Sequence, residues 1–254
     1  TLDIEGKPTD IMPYDRRVSN RIIEEFMLIC NETIAEHIYW QQIPFMYRVH
    51  EEPTVEKMLD FNEFIHNFGY HLKGIGGEIH PKVLQALLKK IEGTREEAII
   101  SAVMLRSLQK ARYSHESLGH FGLATNYYCH FTAPIRRYPD LIIHRIIKAT
   151  LHNELSNKKI KQLEAVLPEM ADHCSQRERL ADEVERETED LKKAEYMLDK
   201  IGMEYEGIIT GVTGYGIYVQ LPNTVEGLVR ISSIEDDYYV YNEKHYCLIG
   251  ERTR

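Results

Sequence analysis

The stretch Tyr128-Cys-His-Phe-Thr-Ala-Pro-Ile-Arg-Arg-Tyr-Pro-Asp-Leu-Ile-Ile-His-Arg145 decides how the rest of the chain is read. Pro134 and Pro139 bracket Ile135-Arg136-Arg137-Tyr138. Proline fixes its own φ and pushes the residue before it toward extended backbone. Ala133 and Tyr138 are therefore expected to be extended, with a stiff loop between them. A helix follows, with Pro139 in its first turn, where a missing N–H leaves nothing unpaired. Asp140 suits the positive end of that helix, and Asp140 and His144, four apart, share a face. A stiff loop can aim two guanidinium groups in a set direction. Arginine forks bind phosphate or carboxylate through paired donors, and Tyr138 beside them offers a plate on which a base can stack. Two readings stay open: an anion site suited to a phosphodiester backbone, or an Arg-Arg loop that pairs with acidic neighbours.

The chain has 254 residues, enough for one large domain or two smaller ones with a sizeable core. Its cysteines, Cys30, Cys129, Cys174 and Cys247, are widely spread and form no CxxC, which argues against a zinc ribbon or a redox motif and fits a reducing, cytoplasmic compartment. No apolar run reaches membrane-spanning length, and no signal peptide is read at the start. The net charge of −9 argues against a broad basic surface for nucleic acid. The charge is uneven, however. Residues 182–190 and 235–237 are acidic, while residues 136–148 are net basic. An acidic protein with a local basic groove is compatible with a confined strand channel.

Outward from the arginine loop, the pattern is mostly helical. A helix is expected from near Asp15, with Ile22, Phe26, Ile29, Cys30, Ile34 and Ile38 at helical spacing, and Gln42-Ile-Pro44 ending it. Glu24 and Glu25 sit on it, and spacing alone makes them a solvated face. A short strand is expected at residues 45–49, then helices at 54–68, stopped by Gly69, and at 81–91, opened by Pro81. Thr94 and Glu97 read as the capping box of a helix over 94–110. The glycine-rich run Gly74-Ile-Gly-Gly77 matches no phosphate-binding loop. Residues 111–132 read as strands around a turn at Asn126. His115, His120, His130 and His144 match no standard zinc spacing, so structural roles are expected for them. A short helix over 158–166 and a long one from Pro168 to about Lys200 complete this part, the latter with charged, solvated faces.

At Gly202 the composition shifts, which sets a domain boundary between residues 1–201 and 202–254. Glycines and β-formers follow. Residues 206–221 read as two strands turning at Thr213-Gly214, and residues 225–232 as a third. Tyr215 and Tyr218 are three apart and share a face only if a bulge or glycine kink intervenes, as Gly214 and Gly216 allow. They read either as base-stacking residues on a small β-barrel or as core tyrosines. Three strands are short of a five-stranded barrel.

With those residues set out, His130 to Arg145 resembles the signature of the RNase II/RNase R exoribonucleases. Tyr113 to Gly122, Ile23-Glu-Glu-Phe-Met27 and Tyr47-Arg-Val-His50 are similar to the same family, and residues 204–232 resemble its S1 RNA-binding domain. The likeness is nearer to the RNase R branch. It implies an α+β architecture: the C-terminal, helix-rich part of an RNB-type catalytic domain, then a partial S1/OB-type β-barrel lacking its last strands. It implies hydrolysis of single-stranded RNA from the 3′ end to nucleoside 5′-monophosphates, by a monomer, with two-metal magnesium chemistry. Arg136 is then the arginine on the scissile phosphate, stabilising charge on its oxygens. Glu185 matches a family glutamate on the long helix. Arg137, Tyr138, His144 and Arg145 position the loop or line the channel, Glu24 or Glu25 orients RNA, and Tyr215 and Tyr218 match the S1 aromatic positions. The family's metal-holding aspartate cluster is not found in this sequence. The chain is therefore expected to be an internal piece of a longer enzyme, without metal ligands and inactive alone, or else a non-catalytic RNA-binding relative.

Overall fold

Two hydrophobic cores, both built by helices, position the arginine loop. The computed structural model describes residues 1–74, 79–242 and 246–252, so the glycine-rich run lies, beyond Gly74, outside the described residues. The first core joins α1 (Val18–Trp40), the short antiparallel pair β1 (Tyr47–Val49) and β2 (Arg112–Ser114), α5 (Tyr138–Leu151) and the first half of α6 (Asn157–Met197). Ala35, Ile38, Phe45, Val49, Ile143 and Leu167 are at its centre. The second core joins α2 (Val55–His66), α3 (Pro81–Ile91) and α4 (Glu97–Ser107) around Met58, Phe61, Ile91 and Ile100.

Local chemistry accounts for most helix ends. Thr54 accepts from the Lys57 N–H at the start of α2, and Gly69 takes φ +79° after its end, a conformation that suits glycine. Pro81 opens α3 behind His80, whose Nδ1 accepts from the Lys82 N–H. The capping box expected at Thr94 does not form. The Thr94 hydroxyl donates back to the Ile91 carbonyl, and the Glu97 carboxylate accepts from the Gly93 N–H, so α4 starts at Glu97. Tyr138 is the first residue of α5 rather than extended. The preference of a pre-proline residue is outweighed there by the side chain of Asp140, described below.

Helix α1 starts at Val18 rather than near Asp15, because the Asn20 side chain accepts from the Arg17 N–H and closes the helix start there. The apolar seam expected on it is only half buried. Asn31, Ala35 and Ile38 face the core, whereas Ile22, Phe26 and Ile29 are exposed. At about 100° per residue, Ile22 sits half a turn around from Asn31. The strands expected across residues 115–132 are also absent. Beyond β2 the chain makes a 3-10 turn at Phe121–Leu123 and then runs irregularly, tied to β1 by the Arg48 N–H to the Tyr128 carbonyl and by a bridge between His50 and His120.

The short helix and the long one expected around Pro168 are one helix of 41 residues. Proline inside a helix removes one hydrogen bond. Here Leu163, Leu167, Met170, Ala171 and Cys174 stay on the same core-facing side across Pro168, and that packing holds the helix continuous. From residue 181 to 190 it is exposed all round.

Among the described residues the C-terminal part has five strands, not the three expected. β3 (Ile208–Thr213), β4 (Gly216–Gln220) and β5 (Glu226–Arg230) form an antiparallel sheet, with a register shift between Ile209 and Gly211. β6 (Tyr239–Asn242) and β7 (Cys247–Gly250) form a separate antiparallel pair. A side chain at Gly216 would collide with the backbone carbonyl of Val229, so the sheet closes only on glycine there. The Tyr246 ring packs edge-on against Phe64 of α2, 5.3 Å between centroids, and joins this part to the second core.

Candidate nucleic-acid interface

The residues before the arginine loop are stitched down from behind. Asn31 of α1 is buried. Its amide nitrogen donates to the Tyr128 hydroxyl (3.1 Å), its side-chain oxygen accepts from the Phe131 N–H (3.0 Å), and its carbonyl accepts from the Cys129 thiol (3.3 Å). His144 closes the other side, stacked on Phe131 at 4.1 Å and hydrogen-bonded to its carbonyl.

The loop itself turns on Asp140, which is fully buried. One carboxylate oxygen, Oδ2, accepts from the Ala133 N–H at 2.7 Å and from both Nε and an Nη of Arg137, at 3.2 and 2.8 Å. The N–H groups of Arg136 and Arg137 also donate to the Ala133 carbonyl. One buried carboxylate therefore closes the turn from both ends, from within the first turn of α5, where the helix dipole favours its charge. Ile135 is at the tip, fully exposed.

This separates the two arginines. Arg137 is tied to Asp140, its side chain only 17% exposed. Arg136 is exposed and makes no ion pair or side-chain hydrogen bond to any described residue. Its donors are free for a ligand. Tyr138 beside it is 49% exposed. Both, with Arg137, line a groove of about 920 Å³ between the loop and α6. Across it run Glu178, Asp182 and Glu185, at i, i+4 and i+7 on one helical face.

Glu178 is the groove residue that motif reading missed. Arg48 of β1 donates to it at 2.5 Å, and the guanidinium lies over the Tyr113 ring at 4.8 Å. The Tyr113 hydroxyl reaches both Glu178 (3.3 Å) and His130 Nδ1 (2.9 Å). A phenol has one proton and a carboxylate here can only accept. Tyr113 therefore donates to Glu178 and accepts from the His130 Nδ1–H. Burial, with Arg137 and Arg48 nearby, pushes the His130 pKa down to about 2. Burial, with His50 and Arg48 next, brings His120 down to about 4. Both are neutral at pH 7. In His50, Nδ1 accepts from the Gly122 N–H, so Nε2 donates to the Gln109 carbonyl. His50 and His130 work as structural hydrogen-bonding rings, whereas the Nδ1 of His120 is buried without a partner among the described residues. His115 lies at the surface beside Glu116.

The remaining candidates lie elsewhere. Glu24 pairs with Arg16, and Glu25 is exposed beside it on α1. Arg145 projects from α5 and is exposed, outside the groove lining. Tyr215 and Tyr218 do share a face: their hydroxyls are 3.0 Å apart and their rings meet edge to face at 6.4 Å. Among the described residues, no group of three or more His, Cys, Asp and Glu side chains converges to hold a metal ion. The three carboxylates along α6 are strung along the helix rather than gathered, so the residues present do not fit a bound divalent cation.

Residues 1–153 match the RNB domain family and residues 198–254 the S1 RNA binding domain family. The chain belongs to the RNB family. Ribonuclease R 1 of Lactococcus lactis is 46% identical over 249 residues, which is 98% of this chain and 30% of that protein. Ribonuclease R of Aquifex aeolicus is 46% identical over 253 residues, 99% of this chain and 36% of that protein. The chain thus spans about a third of the length of these curated relatives. Among solved structures, Mycoplasma genitalium RNase R in complex with ribose-methylated single-stranded RNA superposes with a TM-score of 0.92 at 28% identity, covering 99% of this chain and 40% of that one.

Proposed function

We propose that this chain is the RNA-gripping part of a 3′-to-5′ exoribonuclease of the RNase R type, which releases nucleoside 5′-monophosphates from single-stranded RNA. One observation carries the reading. Arg136 is presented, without an ion pair to any described residue, on a loop that a buried carboxylate holds in place above a groove of about 920 Å³. A free guanidinium fork of this kind takes two oxygens of one phosphate. Held in place beforehand, it stabilises charge that builds on those oxygens during attack at phosphorus. Tyr138 offers its exposed ring to the adjacent base, and the S1 tyrosines take bases further along the strand. Glu185 faces the groove from α6 and orients what enters it. Likeness to RNase R proteins of several bacteria, one of them held with single-stranded RNA, supports the reading.

The magnesium that such chemistry calls for has no donor set among the described residues. Its ligands lie on polypeptide other than this chain. The four cysteines are unpaired, which suits a reducing cytoplasm, and no helix among the described residues is long and apolar enough to cross a membrane. We take the acting species to be a monomer. The absence of a gathered donor set favours a second reading, an RNA-binding module without chemistry of its own. Incubation of the chain with 5′-labelled single-stranded RNA and magnesium separates the outcomes. Retention of intact RNA, lost in Arg136→Ala, is expected. Failure to bind RNA at all, or stepwise degradation by this chain alone, contradicts the account.

A further inference from the structure

Away from the arginine groove, a second concavity has the opposite electrostatic character to the chain as a whole. From residue 64 to 91 the sequence has four lysines against one glutamate, in a protein of net charge −9. Three of those lysines, Lys73, Lys82 and Lys90, rim one pocket of about 400 Å³ with His71. Its floor is apolar, made by Leu72, Val83 and Leu87, with Tyr70 at the side. All three lysines are exposed, and none forms an ion pair with a described carboxylate.

The placement follows from the helix. Lys82, Ala86 and Lys90 are at i, i+4 and i+8 on α3, so both lysines lie on one face, about 12 Å apart along the axis. The small Ala86 between them leaves the pocket open, and Val83 and Leu87 continue its wall toward the second core. Lys73 is on the segment that follows α2 and lines the same pocket. Three exposed ammonium groups with no ion-pair partner among the described carboxylates make a local positive patch that favours an anion. Each strand of a duplex carries a charge about every 3.4 Å of axis, and even at twice that spacing, as in an extended single strand, a rim of about 12 Å spans more than one phosphate. The apolar floor suits a sugar or base edge beneath them.

We propose that this lysine-rimmed pocket on α3 is a second RNA-backbone site, separate from the Arg136 groove. The proposal rests on the RNA reading given above. The pocket grips the strand without reading its sequence and adds to affinity through counterion release rather than chemistry. Lys73, Lys82 and Lys90 are RNA-contacting residues here, not catalytic ones.

Two measurements test it on the 254-residue chain. In the first, surface lysines are acetylated with and without a single-stranded RNA oligonucleotide, and modification is read by mass spectrometry. Lys73, Lys82 and Lys90 are expected to be protected, and Lys158 and Lys161 at the start of α6 are not. In the second, RNA affinity is followed against salt for the unsubstituted chain and for K73Q/K82Q/K90Q. At about 0.7 per phosphate on a single strand, loss of three contacts lowers the log–log salt slope by about 2. Unchanged modification together with an unchanged slope overturns the second site while leaving the Arg136 reading intact. No RNA binding by the unsubstituted chain overturns both. Protection by polyglutamate but not by RNA overturns the proposal in favour of an acidic protein partner.

Discussion

The arginine loop and the tyrosine sheet both present polar groups to solvent, but they are held in different ways. Behind Arg136 stand a fully buried carboxylate, a buried asparagine and a stacked histidine, each bonded to the loop or its approach. Tyr215 and Tyr218 bond chiefly to each other, and Tyr215 is 58% exposed. The first is preorganised. Its reorganisation cost is met during folding, which is what a site for charge at a reacting phosphate needs. The second is free to adjust, a property that would suit base contacts that tolerate any sequence under the proposed reading.

Substitutions sharpen that contrast, and the largest effect belongs at Asp140. Asp140→Ala leaves Arg137 unpaired in a half-buried place and strips the Ala133 N–H of its acceptor. Breaking a buried pair from one side costs about 3–5 kcal/mol, so urea unfolding is expected to shift by that order, with RNA affinity falling alongside. A stable Asp140→Ala with full affinity would break the comparison. Next comes the clamp between β1 and α6. Arg48→Ala leaves Glu178 with a long phenol bond only, and hydrogen bonds to charged groups are worth about 1.5–3 kcal/mol; thermal unfolding reads the loss. Tyr113→Phe removes one hydroxyl from the same network and is expected to cost about 1 kcal/mol. Tyr215→Phe, on the sheet, is expected to stay within about 0.5 kcal/mol, as surface changes do.

The half-buried histidines add a pH dependence. His130 and His120 have folded pKa values lowered to about 2 and about 4. In the unfolded chain both titrate near 6.5. Below that pH the unfolded state takes up protons that the folded state refuses, so their contribution to stability is complete above about pH 6.5 and is lost as pH falls. The slope is about 1.4 kcal/mol per pH unit for each such histidine. Unfolding midpoints measured from pH 7.5 to 5 are expected to fall in the unsubstituted chain and to fall less in a His120→Gln variant. Equal slopes would contradict the neutral assignment of His120.

Much of this architecture could be read before the structure was seen. Pro81 and Gly69 mark helix ends by local backbone rules, and α3 is found where they put it. Tyr113 to Gly122 and the run around Arg136 carry a family pattern dense enough to name. What could not be read depends on contacts between distant residues. One exception is local: Arg136 and Arg137 lie four and three positions before Asp140, both within helical reach, and the fold of the turn decides that Arg137 takes the pair. Asn31 and Glu178 have ordinary surroundings in the sequence, and their partners lie 65 to 130 positions away. The continuity of α6 across Pro168 and the bare half of α1 are likewise matters of tertiary packing, which local propensity does not report.

The division of labour between the two arginines is the central claim, and a paired titration of R136A and R137A reads it directly. Each variant is mixed with labelled single-stranded RNA and, from the same preparation, unfolded in urea. The account predicts that R136A loses RNA affinity with its unfolding curve unmoved, and that R137A unfolds at lower urea. An R136A variant that keeps full affinity, or an R137A variant as stable as the unsubstituted chain, would contradict it.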